Sequence, residues 1–344
     1  MKFKDIEKLI LKKEQTFSDF LELNRIYGFS LVNIENFQIS ETITFGLKQH
    51  IDENTLFQAA SMSKSIFAAT VMRLNELGMI NIEKNLVPEI SKIITLEDHE
   101  KIQNITYKDL LSHTAGFNIH GFSGYLHTQQ MPSLLQILHG ERPSNSLRLE
   151  LIHLPRTIFS YSGGGYMLAQ YLLEQETNKS YLEWAKELVF KPLKMINSFH
   201  ASTLDQIDTT KIAQGWSEHD TPIDHGFIFY PELAAAGQWS TPTDLALFGI
   251  EMMQALKGES HWMTKQSAEM MISVPKDIKT FYGLGFMLKE QTNIYFGHGG
   301  DNIGYHSSMV FNPVHGQGIV VMLNSDIGDK VRDQIINIAT SLFL

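Results

Sequence analysis

Strand-like patterns occupy only the two ends of this 344-residue chain. Near the start, "YGFSLVNI" and "QISETITFG" are rich in β-branched and aromatic residues and meet at Glu35-Asn36 like a hairpin. Near the end, "NIYFGHGG", "YHSSMVFN" and "GQGIVVMLNS" read the same way. Between these ends the pattern is helix and loop. One sheet assembled from both ends, with a helical lobe inserted, is the arrangement this predicts. The chain then forms a single domain over 1–344, with a sheet lobe of about 1–75 plus 280–344 and a mainly helical lobe of 76–279.

The helical signals are local. Ile6, Leu9, Ile10, Phe17, Phe20 and Leu21 recur at helical spacing, so the first segment reads as a helix. "SKSIFAATVMRLNELG" follows Ser61 and ends at Gly78. "YKDLLSHTAGF" reads as a short helix broken at Gly116, and "GGYMLAQYLLEQETN" and "SYLEWAKELVF" are amphipathic. "STPTDLALFGIEMMQAL" carries a proline near its first turn, as helix starts do. A last helix is expected from Asp329 to Leu344.

Composition removes several function classes. Apolar residues are 43% and charged residues 19%, an ordinary globular balance. A net charge of −10 argues against nucleic acid or an anionic membrane surface as partner. The chain has no cysteine, which excludes disulfides, thiolate metal sites and cysteine nucleophiles. "MKFKDIEKLILKKEQ" is charged throughout and lacks the apolar stretch of a signal peptide. No apolar run is long enough to span a bilayer. A cytoplasmic protein with no membrane span is the expectation; the oligomeric state is left open. The 14 histidines show no His-Glu-x-x-His or similar spacing, so no metal is expected. Gly163-Gly164-Gly165 lacks the context of a phosphate cradle, so no cofactor is expected either.

The chemistry candidates begin in "FQAASMSKSIFAA". Ser61 and Lys64, at i and i+3, share one helix face. At a helix start Ser61 sits in a field that favours an oxyanion. A serine needs a base to become nucleophilic, and lysine serves only if burial brings its pKa from about 10.4 toward neutrality. The apolar "SIFAATVM" supplies such surroundings. On spacing alone, a catalytic pair competes with an N-cap serine beside a snorkelling lysine.

"FQAASMSKSIFAA" followed by "LLSHTAGF" resembles the serine β-lactamase and penicillin-binding-protein superfamily, whose related enzymes carry a serine-lysine signature. The match is nearest to the class C branch, with its family VIII carboxylesterase and D-aminopeptidase relatives. "FSYSGGGYMLAQYL", "YPELAAAGQWSTPTDLALF", "YGLGFML", "FGHGGDNIGYHSSMVFNP" and "GIVVMLNSD" follow in family order, and the resemblance runs from about Gly28 to the C-terminus. It implies an α/β (α+β) fold: an antiparallel sheet flanked by helices, with the active site in a cleft beside the helical lobe. It implies that Ser61 is acylated, that Lys64 is its proton partner, and that Tyr161 passes a proton to the leaving group and activates water. Backbone N–H groups of Ser61 and Asp301 would form the oxyanion hole.

Two departures stand out. Tyr161-Ser162-Gly163 lacks the asparagine of the family's Tyr-x-Asn, and His298-Gly299-Gly300 replaces Lys-Thr-Gly. A histidine is only partly charged near neutral pH, so His298 would replace the lysine's charge in part. Slow or absent β-lactam turnover is therefore expected, improving below about pH 6.5. His113 is expected to be structural. His120 belongs either to the pocket or to a surface loop. The aromatic stretch "HGFIFYPEL" either walls an acyl pocket or packs in the core. The resemblance implies a metal-independent serine hydrolase acting through an acyl-enzyme on a small-molecule or peptide-like ester, amide or D-amino-acid peptide. The alternatives are a true class C-type β-lactamase or D,D-peptidase, and a noncatalytic peptide-binding homologue.

Overall fold

The computed structural model describes residues 2–12, 14–96, 102–201, 203–290 and 294–343. The chain opens with α1 (Phe3–Ile10), α2 (Phe17–Leu23), β1 (Gly28–Glu35), β2 (Gln38–Gly46) and β3 (Phe57–Gln58). It continues with α3 (Ser63–Glu76), α4 (Val87–Ile90), α5 (Tyr107–Leu111), α6 (Leu134–His139), α7 (Gly163–Thr177) and α8 (Tyr181–Ala185). Then come β4 (Phe199–His200), β5 (Gln238–Ser240), α9 (Pro242–Lys257) and α10 (Lys265–Met271). The end is β6 (Met287–Glu290), β7 (Ile294–Asn302), β8 (Tyr305–Asn312), β9 (Gln317–Leu323) and α11 (Asp329–Ser341).

Both ends of the chain build one six-stranded sheet in the order β2-β1-β9-β8-β7-β6. Every pairing in it is antiparallel. The join between the ends is β1 against β9, with Phe29 opposite Leu323 and Leu31 opposite Val321. The fold expected from the terminal strands is thus borne out. The hairpin turn is one residue later than read: Asn36 and Phe37 both take left-handed φ, 50° and 61°, as a two-residue type I′ turn requires.

Side chains alternate across this sheet, as the strand period of two demands. Phe29, Leu31, Ile319, Val321 and Leu323 face one side and pack with α1, α2 and α11. Val32, Ile34, Val320 and Met322 face the other and join the larger core around α3 and α9. The initial helix is corrected to two. Thr16 caps α2 through a reciprocal bond with Asp19, and Glu14 takes φ 65° before it, so the chain turns between them. Leu9, counted toward a single apolar face, is exposed.

Helix α3 lies at the centre and is buried nearly all round, as a helix with apolar residues on every face must be. Its small polar residues are satisfied locally: Ser65 Oγ donates to Gly285 O at 2.6 Å, and Thr70 Oγ1 donates to Ile66 O at 2.9 Å. Gly285 takes φ +81°, and a Cβ there would meet the Ala68 side chain at 2.6 Å. The segment leading to β6 can therefore approach α3 only through glycine. Among the described residues no helix is long and apolar enough to cross a membrane.

Candidate active site

The turn before α3 presents one side chain to solvent. From Thr55 to Met72 only Ser61 is not buried. Ala60 precedes it with φ 49°, a left-handed conformation that non-glycine residues seldom adopt and that active sites hold by surrounding structure. That structure is visible. Ala59 N donates to Gln238 O at 2.8 Å, and Gly300 in β7 passes so close that a Cβ there would lie 2.3 Å from Ala59 O. Gly300 thus serves backbone packing behind the cleft wall.

Lys64, the second residue of α3 and three residues after Ser61, is buried and points back at it. Its Nζ lies 3.0 Å from Ser61 Oγ and donates to Ala235 O at 2.7 Å. The rings of Tyr161 and Tyr166 flank it at 5.0 and 5.7 Å from Nζ. Burial alone pulls its pKa from 10.5 down to about 7, since desolvation disfavours the ammonium. An amine of that pKa is substantially unprotonated at neutral pH.

Tyr161 completes the group. Its hydroxyl faces the Ser61 side chain closely enough for the serine to favour the phenolate slightly. Burial raises the phenol's pKa, against the smaller opposing influence of Ser61, so it remains protonated at neutral pH. The ring is held from behind by His113, 4.1 Å between centroids, and by His120 at 4.8 Å. His113 Nδ1 accepts from Ser162 N–H at 3.0 Å, so it fixes the backbone next to Tyr161. Burial pushes its pKa well below 6.5, which keeps that nitrogen an acceptor. Ser162 caps α7, accepting from Gly165 N at 2.9 Å.

Ser61, Lys64, Tyr161, His120, His298, Gly299 and Asp301 line one cleft of about 660 Å³. Gly163 and Gly300 do not. A Cβ at Gly163 would sit 2.8 Å from the Phe122 ring, so this glycine lets the His120–Phe122 loop lie against the start of α7. The site places no side chain at 163.

The partial charge expected of His298 is corrected. His298 is buried, with Nε2 bonded to the Tyr282 hydroxyl at 2.9 Å and Nδ1 2.5 Å from Gly299 O. Desolvation carries its pKa down to about 3, so it is neutral at any working pH. The improvement in β-lactam turnover expected below pH 6.5 therefore has no source. The "HGFIFYPEL" alternative is also decided: Phe227 and Phe229 pack with Trp239 in the core. The aromatic lining of the cleft includes Phe122, Phe159 and Phe281 instead.

The reading of residues missed the far rim. Asp301 accepts from His306 Nδ1 at 2.5 Å and from Arg332 of α11. Desolvation would raise the Asp301 pKa, but His306 and Arg332 outweigh it and hold the carboxylate low. Arg332 also donates to Asp333 at 2.9 Å, so its charge is spent within the protein.

A serine and a buried lysine at the head of a central helix, behind a sheet made from both chain ends, define the class of penicillin-binding-protein-like folds. The chain belongs to the Beta-lactamase family, whose match spans residues 14–341. It is similar to the protein flp of Staphylococcus aureus (strain NCTC 8325 / PS 47), 23% identical over 338 residues, 92% of this chain and 63% of flp. The chain thus spans less than two thirds of that relative's length. Among solved structures it is similar to the octameric penicillin-binding protein homologue from Pyrococcus abyssi, at TM-score 0.77 and 19% identity over 99% of this chain and 78% of that one. It is also similar to the D-amino acid amidase from Ochrobactrum anthropi SV3, at TM-score 0.75 and 18% identity over 98% of each chain. At these identities the likeness establishes the fold.

Proposed function

We propose that this chain is a serine hydrolase in which Ser61 is acylated by an amide or ester of a small substrate with an apolar side chain. The observation that carries this is the 3.0 Å approach of Ser61 Oγ to a buried amine of pKa about 7. Neutral Lys64 accepts the hydroxyl proton as Oγ attacks the carbonyl carbon. Tyr161, a protonated phenol lining the same cleft beside Ser61 and Lys64, relays a proton to the leaving amine or alkoxide and later positions water on the acyl-enzyme. Backbone N–H groups of Ser61 and Asp301 receive the oxyanion. The similar D-amino acid amidase supports an amide, including a D-amino-acid amide, as substrate. The Phe122, Phe159 and Phe281 wall supports an apolar side chain.

β-Lactams are expected to be poor substrates. Neutral His298 and the absent side chain at 163 withhold two contacts, and one hydrogen bond to a charged group is worth about 1.5–3 kcal/mol. That is roughly 10–150-fold in kcat/KM for the carboxylate contact. The test measures kcat/KM for D-phenylalanine amide, p-nitrophenyl butyrate and a chromogenic cephalosporin, with Ser61→Ala as blank. Amide or ester turnover above the blank is expected, with the cephalosporin far slower at pH 6 and 8 alike. Efficient cephalosporin turnover without amide or ester turnover would replace this reading with a true β-lactamase. Failure of a fluorophosphonate probe to label Ser61 would favour a noncatalytic binding protein.

Tyr161→Phe keeps the ring and its stacking on His113 and removes only the hydroxyl. It is expected to lower kcat by roughly 10²–10⁴-fold, the usual worth of a placed acid–base group. Unchanged kcat would remove Tyr161 from the proton path.

A further inference from the structure

Two loops distant in sequence bring three metal-ligating side chains together. His127 Nε2 lies 3.1 Å from one carboxylate oxygen of Asp224, and His225 Nε2 lies 3.9 Å from the other. The two imidazoles touch, with centroids 4.0 Å apart. One donor atom from each residue lies within 4.8 Å of the other two. We propose that His127, Asp224 and His225 form a Zn²⁺ site, with water as the fourth ligand.

The donor set decides the metal. Two imidazole nitrogens and one carboxylate suit Zn²⁺ and its transition-metal neighbours, whereas Mg²⁺ and Ca²⁺ require oxygen. Ligands bound about 2.0–2.1 Å from a tetrahedral ion stand roughly 3.3–3.4 Å apart. The 3.1 Å separation of His127 Nε2 and Asp224 is already near that value, and with all three donor atoms within 4.8 Å of one another a modest side-chain rotation closes the site.

The supporting backbone is fixed by other bonds. Tyr125 and Phe229 exchange two backbone hydrogen bonds of 2.8 Å each, which joins the two loops next to the cluster. Gly226 O accepts from Gly215 N and from the Tyr305 hydroxyl, both at 2.8 Å, and this anchors the turn that carries Asp224 and His225. The His127 side chain is only 11% exposed, and its Nδ1 is buried without a hydrogen-bond partner, so packing aims Nε2 at Asp224. The cluster stands where an ion would clasp two loops that border the cleft. One runs on from His120 and Phe122; the other leads to Ala235, the acceptor for Lys64. The site is therefore a structural clamp, separate from the Ser61 chemistry.

The test uses the full chain after EDTA treatment. It is titrated with ZnCl₂ by calorimetry and with Co²⁺ by visible absorption, whose ligand-field bands report tetrahedral nitrogen–oxygen coordination. One equivalent is expected to bind, and Zn²⁺ is expected to raise the melting midpoint. His127→Ala and His225→Ala should each weaken binding at least tenfold. Asp224→Asn, at a side chain 75% exposed, should do the same without threat to folding. His219→Ala, at a side chain 81% exposed and outside the cluster, should leave the site intact. Ser61→Ala should also leave it intact, so failure of the hydrolase reading and failure of this site are read separately. No saturable uptake by the wild-type chain, or uptake unaffected in all three cluster variants, overturns the proposal and leaves a plain His–Asp ion pair.

Discussion

Ser61→Ala is expected to lower kcat toward D-amino-acid amides and small esters by about 10⁶-fold, as loss of the nucleophile does in a serine protease. That corresponds to roughly 8 kcal/mol of transition-state stabilisation. The size of the effect follows from what remains. On the proposed mechanism Lys64 and Tyr161 would have nothing to activate once Oγ is gone, and the cleft would then offer only binding and the proposed oxyanion hole. Folding should be nearly unaffected. Ser61 is the one partly exposed residue in its stretch, and the hydrogen bond its side chain makes is the one from Lys64. The measurement is kcat for both substrates together with the melting midpoint, and mass spectrometry of the fluorophosphonate adduct. A residual kcat within tenfold of wild type would sink the acyl-enzyme mechanism, because among the described cleft residues no other serine is hydrogen-bonded to a lysine or histidine side chain.

Most of the fold could be read from residues because its signals are local. The terminal strands alternate or run apolar over their full length. Helix α9 starts where Thr241, Pro242 and Asp244 require it: Thr241 Oγ1 accepts from Asp244 N at 3.2 Å, and the proline occupies the first turn. The Ser61–Lys64 pair was legible for the same reason, since one helical turn fixes its geometry. The errors fall where a neighbour distant in sequence decides the matter. His298 has the spacing of a charged residue but is buried, and desolvation keeps its imidazole neutral. Gly163 looks like a missing side chain; it is space occupied by Phe122. The Asp301–His306–Arg332 rim needs α11 folded over β8 and β9. His127 and Asp224 are 97 residues apart, beyond any spacing rule for metal ligands. The break between α1 and α2 was the exception: Thr16-x-x-Asp19 announced a new helix, and the apolar periodicity masked it.

Lys64→Met is expected to abolish turnover and to make the protein more stable at pH 7. Both follow from burying an amine with no counter-ion. Its pKa falls from 10.5 unfolded to about 7 folded. At about 1.4 kcal/mol per pH unit, this costs the native state roughly 4–5 kcal/mol at pH 7 and below. The sign is fixed by proton count. Between pH 7 and 10.5 the unfolded chain holds the Lys64 proton and the folded chain has released it, so wild-type stability rises with pH across that window. Above 10.5 both states are neutral and the cost is gone. Methionine fills a similar volume, carries no charge, and leaves Ala235 O without its donor, a loss of about 1–3 kcal/mol at any pH. Relief exceeds loss at pH 7, so the variant should gain about 1–4 kcal/mol there. It should fall below wild type near pH 10.5, where only the loss remains. The same deprotonation governs activity: wild-type kcat/KM should rise as pH passes through about 7 and then level, because only the neutral amine accepts the Ser61 proton. Denaturant unfolding of both proteins at several values from about pH 6 to 11, beside the pH–rate profile, checks each part. A stability difference that stays flat with pH, or a Lys64→Met protein that is less stable at pH 7 and still active, would make this lysine a packing residue and return the serine to an ordinary turn.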